Sequence, residues 1–357
     1  MISKKLLLTV LKFLLFLGLG LGILYLVYRN QNAAFQEECA LKGIPSEDCS
    51  LLGKVWNDFR TVNYFWILMV FVVYALSNVS RAIRWNMLLR SLGYQPRFIN
   101  ALLTTIVGYF ANLGLPRMGE VVRAGLMARY EKIAIEKVMG TVVVDRIVDV
   151  LSILVVTTLA IWLDFNNIQA FANEHIRLGE RFGGGQLLYY AAAAAGLALV
   201  VLWLFRQRLL RLAIVQKILH IARGFAEGIQ TIRRLERPWL FVLHSINIWV
   251  MFFLMSYFCF LAFAPTASLP LLAALTVFVF GAWGVVIPSP GGMGTYHFMV
   301  QLALGFYGIS GDDGFSFANI SFFAVQLGCN ILWGILALLL LPGINGLRRG
   351  VVKTELG

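Results

Sequence analysis

The chain has 357 residues, 59% of them hydrophobic, and carries 30 Lys and Arg against 18 Asp and Glu for a formal net charge of +12. An apolar fraction that high excludes an ordinary soluble domain. The positive charge does not point to nucleic acid, because no binding motif accompanies it and its distribution follows a membrane orientation.

A bilayer is spanned by about 20 apolar residues. Runs of that kind fall at 6–28, 62–80, 138–163, 187–205, 238–263 and 317–341, and two further apolar segments, 98–115 and 269–309, end in or are broken by Pro/Gly loops. The first run follows Lys4 and Lys5, but its apolar core is too long for a signal peptide and "YRNQNAA" is a poor cleavage site, so it reads as an uncleaved anchor. With the amino terminus inside, 23 Lys and Arg fall on the cytoplasmic side and six outside, which is the positive-inside bias. The excess suits contact with anionic lipid headgroups.

The loop "QEECALKGIPSEDCS" lies outside in this orientation, and its Cys39 and Cys49 are expected to form a disulfide. Cys259 and Cys329 fall within apolar spans and read as packing residues. No Cys/His spacing suggests a metal, and no cofactor motif is present.

The charges constrain the path of the chain. Segments 81–97 and 116–137 are both basic and read as cytoplasmic, so 98–115 must enter the membrane and return to the same side. The tail "LRRGVVK" also reads as cytoplasmic, which puts "SGDDG" outside and leaves 269–309 to re-enter from the opposite face. Its turn is "IPSPGGMG", irregular backbone at membrane depth, tolerated only where it is buried in protein or lines a polar cavity. The expected fold is an all-α polytopic membrane protein with about six full transmembrane helices and two re-entrant elements in an inverted repeat. On this reading 1–357 is one integral membrane domain. It divides into an anchor at 6–28, a first repeat at 62–163, a connecting helix with an amphipathic cytoplasmic segment at 187–237, and a second repeat at 238–341. Within the third part, Leu210, Ile214, Ile218, Ile221, Phe225, Ile229 and Ile232 form an apolar stripe on a basic helix suited to the inner leaflet. Interrupted segments at matching places in inverted repeats point to a transporter's substrate site.

"SRAIRWNMLLRSLG", "FANLGLPRMGEVVRAGLMAR", "VVVDRIVDVLS" and "PSPGGMGTYH", in this order, resemble the successive motifs of the lysyl-phosphatidylglycerol synthase/flippase membrane-domain family over roughly residues 60–341. The resemblance implies a lipid-handling domain of the inner membrane. Bifunctional members continue into a soluble aminoacyl-transferase domain, whereas this sequence stops at Gly357, so no synthase activity is expected. The acidic residue often found after the glycine motif is replaced by Tyr296 and His297.

The candidate substrate-binding residues follow. From Asn112 to Arg123, Pro116 and Gly119 turn the chain, and the helix that begins there offers free N–H groups to an anion. Arg117 and Arg123 add positive charge, and Glu120 shares a face with Arg123. Asp145, Arg146 and Asp149 lie within a span, where each charge costs roughly 2.5–3.5 kcal/mol on the insertion scale. They must pair, Arg146 with Asp149 or across helices with Glu120. Arg81 and Arg84 suit bidentate phosphate binding, though topological anchoring explains them as well. Gly291, Gly292 and Gly294 suit a backbone nest for an anion or a close helix approach, and Pro288 and Pro290 belong with them to the outer half of a headgroup pathway. Tyr296 and His297 stand ready to hydrogen-bond a headgroup, and a structural histidine is the alternative. Gln301, Asn319, Gln326 and Asn330 add polar groups to the second half.

The function expected is movement of a phosphate-bearing lipid, aminoacylated or polyprenyl-linked forms included, between leaflets of the inner membrane, with both termini cytoplasmic and a separate lipid-modifying enzyme as a candidate partner. A transferase on lipid-linked substrates and a non-catalytic lipid-binding subunit are the alternatives.

Overall fold

A computed structural model describes residues 4–45, 49–114, 118–176, 235–287 and 292–354, and their regular structure is entirely helical. Four helices among the described residues are long and apolar enough to cross a membrane: Tyr64–Arg90, Ile135–Leu163, Pro238–Ala262 and Gly311–Gly346. That is two fewer than the six expected. The run at 187–205 and the amphipathic segment that follows lie outside the described residues. The anchor at 6–28 forms the first part of a longer helix, α1 (Lys4–Leu41).

The presumed outside loop after the anchor is therefore mostly helix. The Cys39–Cys49 disulfide joins the end of α1 to the segment before α2 (Leu51–Thr61), which Ser50 caps by accepting a hydrogen bond from the Gly53 N–H. Lys54 on α2 lies 2.9 Å from Asp58, 3.5 Å from Asp312 and 2.6 Å from Asp313. Burial lowers the tendency of its ammonium to stay charged, but the hydrogen bonds to Asp313 and Asp58 outweigh this and raise its pKa.

The helix α3 (Tyr64–Arg90) begins at Asn63, whose side chain accepts from the Phe65 N–H. A hairpin follows, α4 (Phe98–Gly114) and α5 (Met118–Glu131), and then α6 (Ile135–Leu163). Residues 164–234 form a second compact unit, described only in α7 (Phe165–Ile176). The chain continues with α8 (Pro238–Ala262), the single turn α9 (Ala264–Ala267), and a second hairpin of α10 (Leu271–Val286) and α11 (Thr295–Gly305). The last span is α12 (Gly311–Ser321), a π-helical stretch at Phe322–Cys329, and α13 (Asn330–Thr354). The apolar run expected to span the membrane at 317–341 lies within it. π-helical turns are rare and concentrate at functional sites.

Close approaches show that each hairpin is antiparallel. In the first, Asn100 hydrogen-bonds Glu131, Gly108 lies against Gly119 and Arg123, and Asn112 against Gly119. A Cβ on Gly119 would stand 2.1 Å from the Gly108 carbonyl oxygen, so these helices meet only because both positions lack a side chain. In the second, Gly284 lies against Thr295 and Tyr296, and the Thr276 and Tyr307 hydroxyls are 3.2 Å apart. Helices in lipid gain no hydrophobic drive from meeting each other, and small residues at the crossing supply close packing instead.

This corrects the reading of 98–115 as a complete re-entrant element ahead of 116–137, since α4 is one limb only. The part from Met118 to Glu131 is the return limb of the hairpin, with Gly119, Arg123, Ala124 and Met127 buried. The charge of Arg123 is met inside the protein by Asp145.

The axis of the unit is the pair α3 and α8. They also run antiparallel: the Asn63 N–H donates to the Ala262 carbonyl at one end, Asn247 reaches Ser80, and Arg84 reaches Ser245 at the other. Around them, Val70, Val73, Met255, Phe260, Ala274, Val277, Leu304 and Phe317 form the largest core cluster. The order long helix, hairpin, long helix thus occurs twice, with repeat-like contacts.

Candidate functional site

The charged residues singled out in the sequence converge from three helices. Arg81 and Arg84 come from α3, Glu120 and Arg123 from α5, and Asp145, Arg146 and Asp149 from α6. Their spacing makes this possible: Arg81 and Arg84 are three apart on α3, and Asp145 and Asp149 are one turn apart on α6, so each pair shares a helix face.

Asp145 is fully buried. Its Oδ1 lies 2.5 Å from Arg84 Nη2, and its Oδ2 lies 2.9 Å from Arg123 Nη2 and 3.7 Å from Arg81 Nη1. Asp149 accepts from Arg81 and Arg84, each at 2.7 Å, and lies 3.5 Å from Arg146 Nη1. Arg146 also reaches Glu120 Oε1 at 2.9 Å, so it makes both of the pairings its sequence position allowed. Aromatic rings complete the shell. The Arg123 guanidinium lies 4.9 Å from the Trp85 ring, and Arg81 lies 5.6 Å from both Tyr109 and Phe252. Trp85 is held by a 3.0 Å hydrogen bond from its indole to Thr141.

Four guanidinium groups against three carboxylates leave this network with one positive charge in excess. One face of it borders a cavity of about 450 Å³. Arg81, Asn112, Glu120, Arg146, Asp149, Gly292 and Tyr296 belong to the wall. Arg146 keeps 38% of its side-chain surface accessible, against 3% or less for Arg81, Arg84 and Arg123. Apolar side chains of α8 and α10, among them Trp249, Phe252, Phe278 and Val285, form much of the remainder.

Other expected residues lie behind the wall. Arg84, Arg123 and Asp145 position the wall charges without lining the cavity. Gly119 donates its N–H to Asn112 Oδ1 at 2.7 Å, and this bond ties the two limbs of the first hairpin. Gly294, at φ +81, faces α1, where an added Cβ would stand 2.4 Å from the Gly20 carbonyl oxygen. His297 is buried, its Nδ1 accepts from the Gly294 N–H at 3.4 Å, and its ring packs on Phe322, so it caps α11. Pro116, Arg117, Pro288, Pro290 and Gly291 lie outside the described residues. Gln326 and Asn330 line the cavity. Asn319 donates to the Phe315 carbonyl and Gln301 to the Gly311 carbonyl.

The cavity also holds residues that sequence reasoning passed over: Tyr74, Asn78, Tyr109 and Ser321. Tyr74, Asn78 and Arg81 recur at helical spacing on one face of α3, a polar stripe in an apolar span that was a usable signal. Tyr74 donates to Asn330 Oδ1 at 2.7 Å, and Tyr296 to Ser321 at 2.9 Å.

A UPF0104 membrane protein of Methanocaldococcus jannaschii is 31% identical over 101 residues, a stretch that is 28% of this chain and 30% of that protein. No solved structure matches the chain. The family model for the lysylphosphatidylglycerol synthase transmembrane region matches residues 50–334, which contain every residue of the charge network and the cavity wall. The chain is therefore a multi-pass membrane protein that belongs to the lysylphosphatidylglycerol synthase transmembrane-region family.

Proposed function

We propose that this protein carries the phosphate-bearing headgroup of a lipid across the membrane through the cavity between its two hairpins, while the acyl chains stay in lipid. The observation that carries the reading is the composition of the cavity wall. One side bears Arg81 and Arg146 beside Glu120 and Asp149, backed by a network with one positive charge in excess, and much of the rest is apolar and aromatic. A phosphate needs the first and the glycerol and upper acyl region fits the second. Arg146 is the first contact for the phosphate, because it retains accessible surface, and Arg81 and Asn112 are the next.

Family membership supports lipid handling. The repeated order of long helix, hairpin and long helix, with α3 and α8 antiparallel, supports an inverted repeat with one re-entrant element from each face. The positive-inside count supports cytoplasmic termini in an inner membrane. The test is reconstitution in liposomes with a panel of labelled phospholipids and polyprenyl-phosphate lipids. Movement of at least one anionic lipid faster than in empty liposomes is expected. Rates equal to empty liposomes across the panel, with and without an imposed gradient, would sink the transport reading.

A further inference from the structure

The three carboxylates of the network are not equivalent. Asp145 is paired with Arg81, Arg84 and Arg123, and Asp149 with Arg81, Arg84 and Arg146. Glu120 is paired with Arg146 alone, through Oε1. Its other oxygen, Oε2, is buried without a hydrogen-bond donor among the described residues, and the Nε–H of Arg146 is buried without an acceptor among them. A buried carboxylate oxygen without a donor is costly while the group is charged, and the cost falls when it carries a proton. Glu120 also forms part of the cavity wall beside Arg146, the most accessible guanidinium.

We propose that Glu120 is a proton site that couples headgroup movement to a pH difference across the membrane, with the carboxylate and the lipid phosphate taking Arg146 in turn. This rests on the transport reading given above. With Glu120 charged, its Oε1 holds Arg146 Nη2 and the network carries one net positive charge. A proton from water in the cavity bonds to Oε2, and Glu120 becomes neutral and loosens its hold. The network then carries two net positive charges, and Arg146 turns its N–H groups to a phosphate oxygen. When Oε2 returns the proton to water on the other side, the carboxylate reclaims Arg146 and displaces the headgroup. One proton then accompanies each monoanionic lipid, and the cycle moves no net charge.

The surroundings leave this role to Glu120. Among the described residues, the charged and titratable groups near it are Arg123 on its own helix, Arg146 and Asp149 on α6, Arg81 on α3 and Tyr109 on α4. Elsewhere in the wall stand Tyr74 on α3, Cys259 on α8 and Tyr296 on α11. The wall residues of α10, the π-helical stretch and α13 are apolar side chains, glycine and amides. Asp149, the other carboxylate in the wall, would have to give up three guanidinium partners to act in this way.

The test uses wild-type protein in phosphatidylcholine liposomes that contain acyl-chain-labelled phosphatidylglycerol. The label in the outer leaflet is read by extraction with albumin. At one proton per lipid, a clamped difference of one pH unit drives the leaflet ratio of label to about tenfold, since one unit is a tenfold ratio of proton activity. A potassium diffusion potential at equal pH should leave the ratio near one. Glu120→Gln should slow movement several-fold and hold the ratio near one under the same pH difference, and Glu120→Ala provides a second variant. Fast equilibration with a ratio that ignores pH, or that follows the potential instead, overturns the coupling and leaves transport standing. A Glu120→Gln protein as asymmetric as wild type also overturns it. No movement beyond empty liposomes removes the transport reading and the coupling together.

Discussion

Replacing Asp145 with Asn tests whether the charge network is a single balanced unit. Asp145 has no exposed surface and is the one carboxylate within reach of Arg123 among the described residues, at 2.9 Å. Asn keeps the shape and removes the charge. Arg84 retains Asp149 at 2.7 Å, but Arg123, with 3% of its side chain exposed, is left with only the Trp85 ring at 4.9 Å. Leaving one buried charge without its partner costs about 3–5 kcal/mol. At about 2 °C per kcal/mol for a chain of this size, that is a fall of roughly 6–10 °C in the melting midpoint. Adding Arg123→Met removes the orphaned charge. The double variant is expected to recover about 1–3 kcal/mol of the loss, a coupling of the size seen between residues in direct contact. Tryptophan fluorescence during thermal unfolding in detergent reads all four corners of the cycle. An Asp145→Asn midpoint equal to wild type, or a double variant whose loss is the sum of the two single losses, refutes the reasoning.

Reversing the pair in the cavity wall, Glu120→Arg with Arg146→Glu, should restore part of the lipid movement that either single reversal abolishes, measured in liposomes; additive losses would show that the two act separately. Cys39→Ser should cost about 2–3 kcal/mol, the scale for closing a short loop, and leave lipid movement of the folded fraction near wild type. The check is the melting midpoint against the transport rate, and a transport defect without a stability defect would contradict the assignment. Single cysteines at Ser91 and Asn57 should react with impermeant maleimide from the cytoplasmic and the outer side respectively, and reversed labelling would invert the topology.

Much of the architecture was legible because it follows from simple constraints. Apolar runs of bilayer length located the long helices, and Pro/Gly interruptions located both hairpin turns. Charge in a span announced the network, since Asp145, Arg146 and Asp149 could not stay in hydrocarbon unpaired. Less visible was the fate of Arg123. Its position marked it as positive charge for an anion beside a Pro/Gly turn, and the partners Asp145 and Trp85, from other helices, show that it is buried behind the wall. The same holds for His297, whose role as a helix cap depends on the positive φ of Gly294. The π-helical stretch at Phe322–Cys329 carries no periodic signal, because a local change of hydrogen-bond register leaves the hydropathy pattern unchanged. Wall residues such as Tyr109 and Ser321 are single polar groups in apolar helices, and tertiary packing alone brings them together.

The central claim is that the cavity itself is the headgroup path, and filling it is the most direct measurement. Ala282 on α10 is part of the wall, whereas Val155 on α6 is 67% exposed on the outer face of the bundle. Transport of acyl-labelled phosphatidylglycerol should therefore fall at least tenfold in Ala282→Trp and stay near wild type in Val155→Trp, with both proteins inserted and melting normally. A well-folded Ala282→Trp protein that moves lipid at the wild-type rate would contradict the account.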